Sequence, residues 1–211
     1  MTGQLRERIR SDSTTTEQSS PAVLVVDDEK NLADLYSTWL TETYGVDTAY
    51  SGSGALDAID RRIDVVLLDR HLSDFSGDEV LAQIRDQEFD CLVAMVTAVE
   101  PDFDIVQLEF DEYLTKPVSE GELRNVVRSL LERKRYDEKV NELFSLVSKR
   151  TVLMDEKSTA ELKRSDEYRE LVQQIQTVNT ELDGIVHGLS ARDTEALFAQ
   201  LDSRVRGGAD D

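Results

Sequence analysis

Five side chains suited to phosphoryl chemistry stand at four separate places in this sequence, three of them at the ends of apolar runs and the fourth after a short strand-like segment. Ala22-Val23-Leu24-Val25-Val26 ends on Asp27-Asp28, and Ile63-Asp64-Val65-Val66-Leu67-Leu68 ends on Asp69. Leu92-Val93-Ala94-Met95-Val96 ends on Thr97, and Glu112-Tyr113-Leu114-Thr115 ends on Lys116. Short continuous apolar runs of this kind predict strands buried on both faces of a parallel sheet. In an open parallel sheet the carboxyl ends of the strands form the crevice that binds ligands. The fold would therefore gather three carboxylates, a hydroxyl and an ammonium. Three carboxylates in one cleft repel one another unless a hard cation sits among them, and Mg²⁺ accepts oxygen ligands together with water and phosphate. Asp69, on the middle strand, is the candidate nucleophile and would form an aspartyl phosphate. Lys116 and Thr97 are placed to bind the remaining phosphoryl oxygens.

Taken singly, these residues have plainer explanations. Asp27-Asp28 could end a strand and cap the next helix, Lys116 before Pro117 could be a solvated turn residue, and Tyr113 could be core. The argument for a site rests on their joint register with Asp69.

The intervening segments predict the elements that position the site. Leu32, Leu35, Tyr36, Trp39 and Leu40 recur at helical spacing, and Gly45 closes that helix. Val46 to Tyr50 alternates as a second strand, and Ser53-Gly54 opens a helix with Leu56 and Ile59. Val80, Leu81 and Ile84 mark another helix, and a short one is predicted from about Pro101 to Leu108. A further helix begins near Ser119-Glu120. Five strands alternating with five helices give an α/β, doubly wound, five-stranded parallel sheet over residues 21–131. Beyond it there are no strand signals. Leu123, Val126, Val127, Leu130 and Leu131 continue into Tyr136, Val140, Leu143, Phe144 and Val147, as one long helix or two in series. Ser158-Thr159-Ala160-Glu161 fits a capping box. Tyr168, Leu171, Ile175, Val178, Leu182, Ile185 and Leu189 form a heptad seam interrupted by Gly184, and Asp193 to Leu201 is a last amphipathic piece. Residues 1–20, rich in Ser, Thr and charge, read as a disordered leader, and residues 203–211 as a flexible tail.

The 44 acidic and 24 basic residues give a net charge of −20. Residues 132–211 carry 13 Lys/Arg and 17 Asp/Glu and residues 1–20 balance, so −16 falls on residues 21–131. Such a surface repels nucleic-acid phosphates. Arg outnumbers Lys 17 to 7, and an acidic, lysine-poor surface suits a high-salt cytoplasm, where screening removes self-repulsion. A single cysteine, Cys91, excludes an intrachain disulfide framework and reads as a small buried hydrophobe. With neither a signal peptide nor a membrane-spanning run, a cytoplasmic location is expected.

Residues Ala22 to about Leu131 resemble the receiver domain of response regulators, a flavodoxin-like fold. The match is carried by Val25-Val26-Asp27-Asp28-Glu29, Asp64-Val65-Val66-Leu67-Leu68-Asp69, Gly77, Thr97-Ala98 and Tyr113-Leu114-Thr115-Lys116-Pro117. The resemblance implies that Asp69 is the phosphoacceptor, supplied by a sensor histidine kinase. It makes Asp28 and Asp69 direct Mg²⁺ ligands, Asp27 a ligand through water, and the backbone carbonyl of His71 the third protein ligand. Thr97 and Lys116 become phosphoryl contacts, and Tyr113 an aromatic switch. Ser73 replaces a proline common in that family, which puts the stiffness of its loop in question. Residues 132–202 resemble the HalX domain that follows receivers in haloarchaeal regulators, on the strength of Arg133-Lys134-Arg135-Tyr136-Asp137, Leu146-Val147-Ser148-Lys149-Arg150 and Ser165-Asp166-Glu167-Tyr168.

The helical module has two competing arrangements: a hairpin of the Tyr168–Leu189 seam against the long helix of its own chain, or pairing between two chains as a homodimer. Gly184 favours the hairpin. No basic recognition helix is visible, so direct nucleic-acid binding is disfavoured. His187 lacks a phosphotransfer context and reads as a surface or seam histidine. Two other functions compete with a self-phosphorylating, self-dephosphorylating receiver that is not a turnover enzyme. A phosphohydrolase of the haloacid-dehalogenase type needs an aspartate two residues beyond the nucleophile, where His71 stands. A receiver-shaped scaffold that is never phosphorylated has no need of the intact acid pair, Thr97 and Lys116.

Overall fold

The computed structural model describes residues 20–188. The expected leader up to residue 19, Leu189, the piece from Asp193 to Leu201 and the tail lie outside the described residues.

Five strands, β1 (Ala22–Val26), β2 (Gly45–Ala49), β3 (Ile63–Leu68), β4 (Leu92–Thr97) and β5 (Glu112–Thr115), form one sheet in the order β2-β1-β3-β4-β5. Every pairing is parallel. The three central strands are buried nearly throughout, which is why they read as unbroken apolar runs. Helices α1 (Lys30–Leu40), α2 (Gly52–Ala58), α3 (Gly77–Asp86) and α4 (Glu120–Glu156) follow β1, β2, β3 and β5. One core, around Leu24, Val66, Leu68, Val80, Ile84 and Met95, lies under α2 and α3. The other, around Val23, Tyr36, Leu40, Leu67, Val96 and Leu123, lies under α1 and α4. The result is the doubly wound α/β fold expected from the sequence.

Several boundaries differ from expectation for local reasons. α1 ends at Leu40, and Gly45 begins β2 instead of closing the helix. α2 opens at Gly52 because the Ser51 side chain accepts from the Gly54 N–H as its N-cap. The helix expected from Pro101 to Leu108 is only a 3-10 turn, Phe103–Gln107. It buries none of its residues, with Phe103 90% and Val106 78% exposed. Without an apolar face to pack, so short a segment gains nothing from extending into a full helix.

The second half opens without a break. α4 is a single 37-residue helix, capped by a box in which Ser119 and Glu122 satisfy each other's backbone N–H groups. Its first part covers the sheet through Leu123, Val127 and Leu130. Arg133 and Lys134 then pin it to the sheet's lower rim. The Lys134 ammonium donates to Asp64 Oδ1 at 3.1 Å and to the Asp90 carbonyl at 2.6 Å, and Arg133 donates to the Asp111 carbonyl at 3.3 Å. Past this clamp α4 packs against α6 (Asp166–Gly188), with α5 (Thr159–Arg164) at the turn. The Ser158–Glu161 capping box predicted there is present. Ile175, Val178 and Leu182 pack on Val140 and Leu146, and Lys139 pairs with Glu181 at 2.8 Å. Among the described residues the heptad seam is thus used within the chain, as a hairpin. Gly184 does not interrupt α6: the helix passes through it, and Leu182 and Ile185 on either side are buried.

Because Leu130 is 1% exposed beneath the sheet, Leu130→Ala is expected to cost about 2–5 kcal/mol of stability through lost transfer energy and the cavity left behind. Urea unfolding followed by circular dichroism measures it, and a cost under about 1 kcal/mol would contradict this packing.

Candidate functional site

Strand order reverses between β1 and β3, and that switch point is where an open α/β sheet leaves a crevice. Asp27 and Asp28 follow β1 and Asp69 follows β3, with the Asp69 N–H donating to the Val26 carbonyl at 2.9 Å. One oxygen from each of Asp27, Asp28 and Asp69 lies within 4.8 Å of the others. Asp27 and Asp69 are 2% and 7% exposed, while Asp28 opens to solvent. Carboxylates alone, with two of the three buried, form a hard-oxygen set that fits Mg²⁺ and offers little to softer ions.

Lys116, after β5, reaches across the crevice. Its Nζ donates to Asp27 Oδ2 at 2.6 Å and Asp69 Oδ2 at 2.5 Å. Burial opposes charge on Lys116, but hydrogen bonds to the two carboxylates outweigh it and hold its pKa above the ordinary lysine value. Burial raises the Asp27 carboxyl against the lowering pull of Lys116. Asp27 Oδ1 also accepts from the Glu29 N–H at 3.0 Å, and Asp69 Oδ1 from the His71 N–H at 3.2 Å. Thr97, at the end of β4, is fully buried. Its Oγ1 accepts from the Val99 N–H at 3.4 Å, and the Tyr113 hydroxyl donates to the Val99 carbonyl at 2.8 Å. Tyr113 is half-buried against Phe110, and burial raises its hydroxyl pKa, partly offset by Arg70. The carboxylates and the Lys116 ammonium therefore meet in one crevice, with Thr97 at the end of the neighbouring strand. Tyr113 stands on β5 with its hydroxyl at the Val99 carbonyl, and the His71 side chain is exposed.

Two residues that sequence reasoning missed hold the rim. Asp74 accepts from Gly52 N at 2.7 Å, Ser53 N at 2.9 Å and Ser53 Oγ at 2.6 Å. These bonds, that of the Ser53 hydroxyl foremost, hold its carboxyl well below the usual carboxylate range. They tie the loop after Asp69 to the start of α2, so the loop is anchored although Ser73 stands where a proline was looked for. Arg70, next to Asp69, forms a fork with Asp78, donating from Nε at 2.9 Å and Nη2 at 2.8 Å, and also pairs with Asp104 of the 3-10 turn. Neither was legible, because an arginine or aspartate in a polar loop carries no periodic signal. Away from the site, Cys91 is buried as expected, and His187 is exposed with Nδ1 at 2.6 Å from the Asp183 carbonyl.

The family model of the response regulator receiver domain matches residues 23–128, and that of the HalX domain matches residues 132–198. The chain belongs to the response regulator receiver family, with a HalX domain following the receiver. A Haloferax volcanii protein bearing the name of a transcriptional regulator is 41% identical over 196 residues, covering 92% of this chain and 33% of its own length. Regulatory protein VanRc of Enterococcus gallinarum is 39% identical over 119 residues, covering 54% of this chain and 51% of its own. The chain thus spans one third and one half of the lengths of these two relatives. Among solved structures, the signal receiver domain of a LuxO repressor-type protein from Vibrio parahaemolyticus is similar, with a TM-score of 0.52 and 28% identity. That likeness covers 57% of this chain and 96% of the other. Among the described residues no helix is long and apolar enough to cross a membrane.

Gly77 is where backbone approaches the site most closely. A Cβ there would stand 2.2 Å from the Asp69 carbonyl oxygen and 2.7 Å from Arg70 Cα. Gly77→Ala is therefore expected to destabilise the fold by about 1–3 kcal/mol, read as a lowered urea midpoint. An unchanged midpoint would mean that α3 does not sit against Asp69 in this way.

Proposed function

We propose that this chain is the phosphoacceptor of a two-component phosphorelay: Asp69 takes a phosphoryl group from a sensor histidine kinase, and the helical module passes on the result. The observation that carries this reading is the triad of carboxylate oxygens within 4.8 Å, bridged by the Lys116 ammonium. Asp28, Asp69 and the His71 carbonyl would hold Mg²⁺ directly, and Asp27 through water. Bound there, the ion supplies positive charge against the phosphoryl oxygens.

Asp69 would act through a carboxylate oxygen, forming a new P–O bond as the bond from phosphorus to the donor's leaving atom breaks and its electron pair departs with the leaving group. Lys116 is already within hydrogen-bond distance of Asp69, so its ammonium can transfer one donor to a phosphoryl oxygen without crossing the crevice. Thr97 would turn its hydroxyl to another phosphoryl oxygen. Tyr113 would follow that motion, a reading supported by its hydrogen bond to the Val99 carbonyl just beyond Thr97. The chemistry then ends in a long-lived change of state, not product turnover. The residue two positions past Asp69 is His71, which supports this reading over a phosphohydrolase.

The test is intact mass after incubation with acetyl phosphate. The chain is expected to gain one phosphoryl group with Mg²⁺ and none without it. Asp69→Asn is expected to abolish the gain while leaving the circular dichroism spectrum intact, and labelling that persists in this variant would remove Asp69 from its role. Lys116→Ala is expected to keep the fold but lose any phosphorylation-linked change in hydrodynamic radius. An unaltered change would show that Lys116 does not couple the site to the rest of the chain.

A further inference from the structure

Residues 70–76 join Asp69 to α3, and they carry the one backbone group proposed above as a cation ligand, the carbonyl of His71. That carbonyl accepts no hydrogen bond among the described residues, so the course of the loop alone decides where it points. An oxygen ligand is only as well placed as the groups that hold it.

The loop is pinned on both sides of His71. On one side the Arg70 carbonyl accepts from the Gly77 N–H at 2.8 Å. On the other, Asp74 grips the start of α2 with both carboxylate oxygens. Oδ1 accepts from the Gly52 N–H at 2.7 Å, and Oδ2 from the Ser53 N–H at 2.9 Å and the Ser53 hydroxyl at 2.6 Å. Oδ1 also accepts from the Phe75 N–H at 2.9 Å, which fixes the carboxylate relative to its own backbone. Between the pins Leu72 packs partly buried against the core, while His71 and Ser73 are exposed.

The fit at α2 is close. Gly52 is buried, and a Cβ there would stand 2.8 Å from Phe75 Cβ and 3.2 Å from Asp74 Oδ1. The helix already has its own N-cap in Ser51, which accepts from the Gly54 N–H at 3.0 Å. The grip of Asp74 is therefore additional to ordinary capping, and what it adds is a tie between two loops. Ser73, beside it, lacks the fixed φ of a proline and contributes no stiffness of its own. Without the tie, residues 71–73 would have more courses open to them, and cation binding would first have to order them.

We propose that Asp74 is a positioning residue for the cation: its grip on Gly52 and Ser53 holds the loop that presents the His71 carbonyl as a ligand beside Asp28 and Asp69. The inference rests on the reading of the crevice as a Mg²⁺ site and adds to it a residue that touches neither the ion nor the phosphoryl group.

Binding of Mn²⁺ to the full chain, without phosphodonor, tests this when followed by the paramagnetic resonance of the free ion with Mg²⁺ titrated in as competitor. Asp74→Ala is expected to weaken the affinity for both ions about ten-fold, and Asp74→Asn, which keeps one acceptor oxygen, to weaken it less. The Ser73 N–H donates to no acceptor among the described residues, so Ser73→Pro breaks no bond and stiffens the loop. Added to Asp74→Ala, it is expected to bring the affinity back to within about three-fold of the unaltered chain. Ser51→Ala removes the other cap of α2 without touching the loop and is expected to leave the affinity unchanged. Asp74 and Ser73 are exposed, so circular dichroism is expected to stay native. Undiminished affinity in Asp74→Ala, no recovery with Ser73→Pro, or an equal loss in Ser51→Ala would each overturn the positioning role and leave the cation site standing. An unaltered chain that binds no Mn²⁺, or Asp69→Asn binding as tightly as the unaltered chain, would instead remove the site and the role of Asp74 with it.

Discussion

The ammonium of Lys116 is the interaction on which this crevice depends. Two carboxylates about 4 Å apart repel by about 4 kcal/mol at an effective dielectric of 20, and here Asp27, Asp28 and Asp69 crowd within 4.8 Å. Lys116 bridges the two that are buried, at 2.6 and 2.5 Å. The arrangement can exist only because β1, β3 and β5 end at one edge, and that edge alignment follows from an all-parallel sheet in the order β2-β1-β3-β4-β5. Chain topology thus creates the electrostatic problem and delivers the cation that relieves it. A site held together by charge balance is also one whose balance a phosphoryl group would change.

What could be read from the sequence is what burial on two faces imposes. β1, β3 and β4 are covered by helices above and below, so nearly every residue is apolar and the first polar one marks the strand's end. Asp27, Asp69 and Thr97 were legible for that reason. The boundary of α2 was not, because it depends on Ser51 as cap and on Asp74 reaching it from the loop after β3. The 3-10 turn at Phe103–Gln107 was misread as a helix because Phe103, Ile105 and Val106 look like a packing face, although Phe103 and Val106 find no core to enter. Arg70 and Asp104 were invisible for a related reason: their pairing joins loops brought together only by the finished fold.

The helical half was legible as a pattern but not as a pairing. The spacing from Tyr168 to Leu182 specifies an apolar seam without saying whether its partner is the same chain or another. The structure resolves this through length. α4 continues past the sheet to Glu156, and the turn through α5 returns α6 along it, with Lys139–Glu181 and the Val140–Val178 contact region setting the register. Intrachain pairing needs no loss of translational freedom, so it takes precedence over association wherever the connection allows it.

The continuity of α4 also limits how the two halves can communicate. The matches to the two families leave only residues 129–131 between them, yet no loop separates the domains, and Arg133 and Lys134 fasten the helix to Asp111, Asp64 and Asp90. Asp64 and Asp69 lie at opposite ends of β3, about 17 Å apart along the strand. The junction is therefore a continuous, clamped helix and not a free hinge. Two contiguous sets of contacts lead from the surroundings of Asp69 towards α4 and β5: the side chains of the sheet onto the buried Leu123–Leu130 face of α4, and the surface pairing of Arg70 with Asp104 of the 3-10 turn. Because α4 is one continuous helix, any tilt about Leu123, Val127 and Leu130 would grow with distance along it. At 1.5 Å per residue Met154 lies about 36 Å beyond Leu130. The far end of α4 is thus the part of the described structure where a shift too small to disturb the core would be largest.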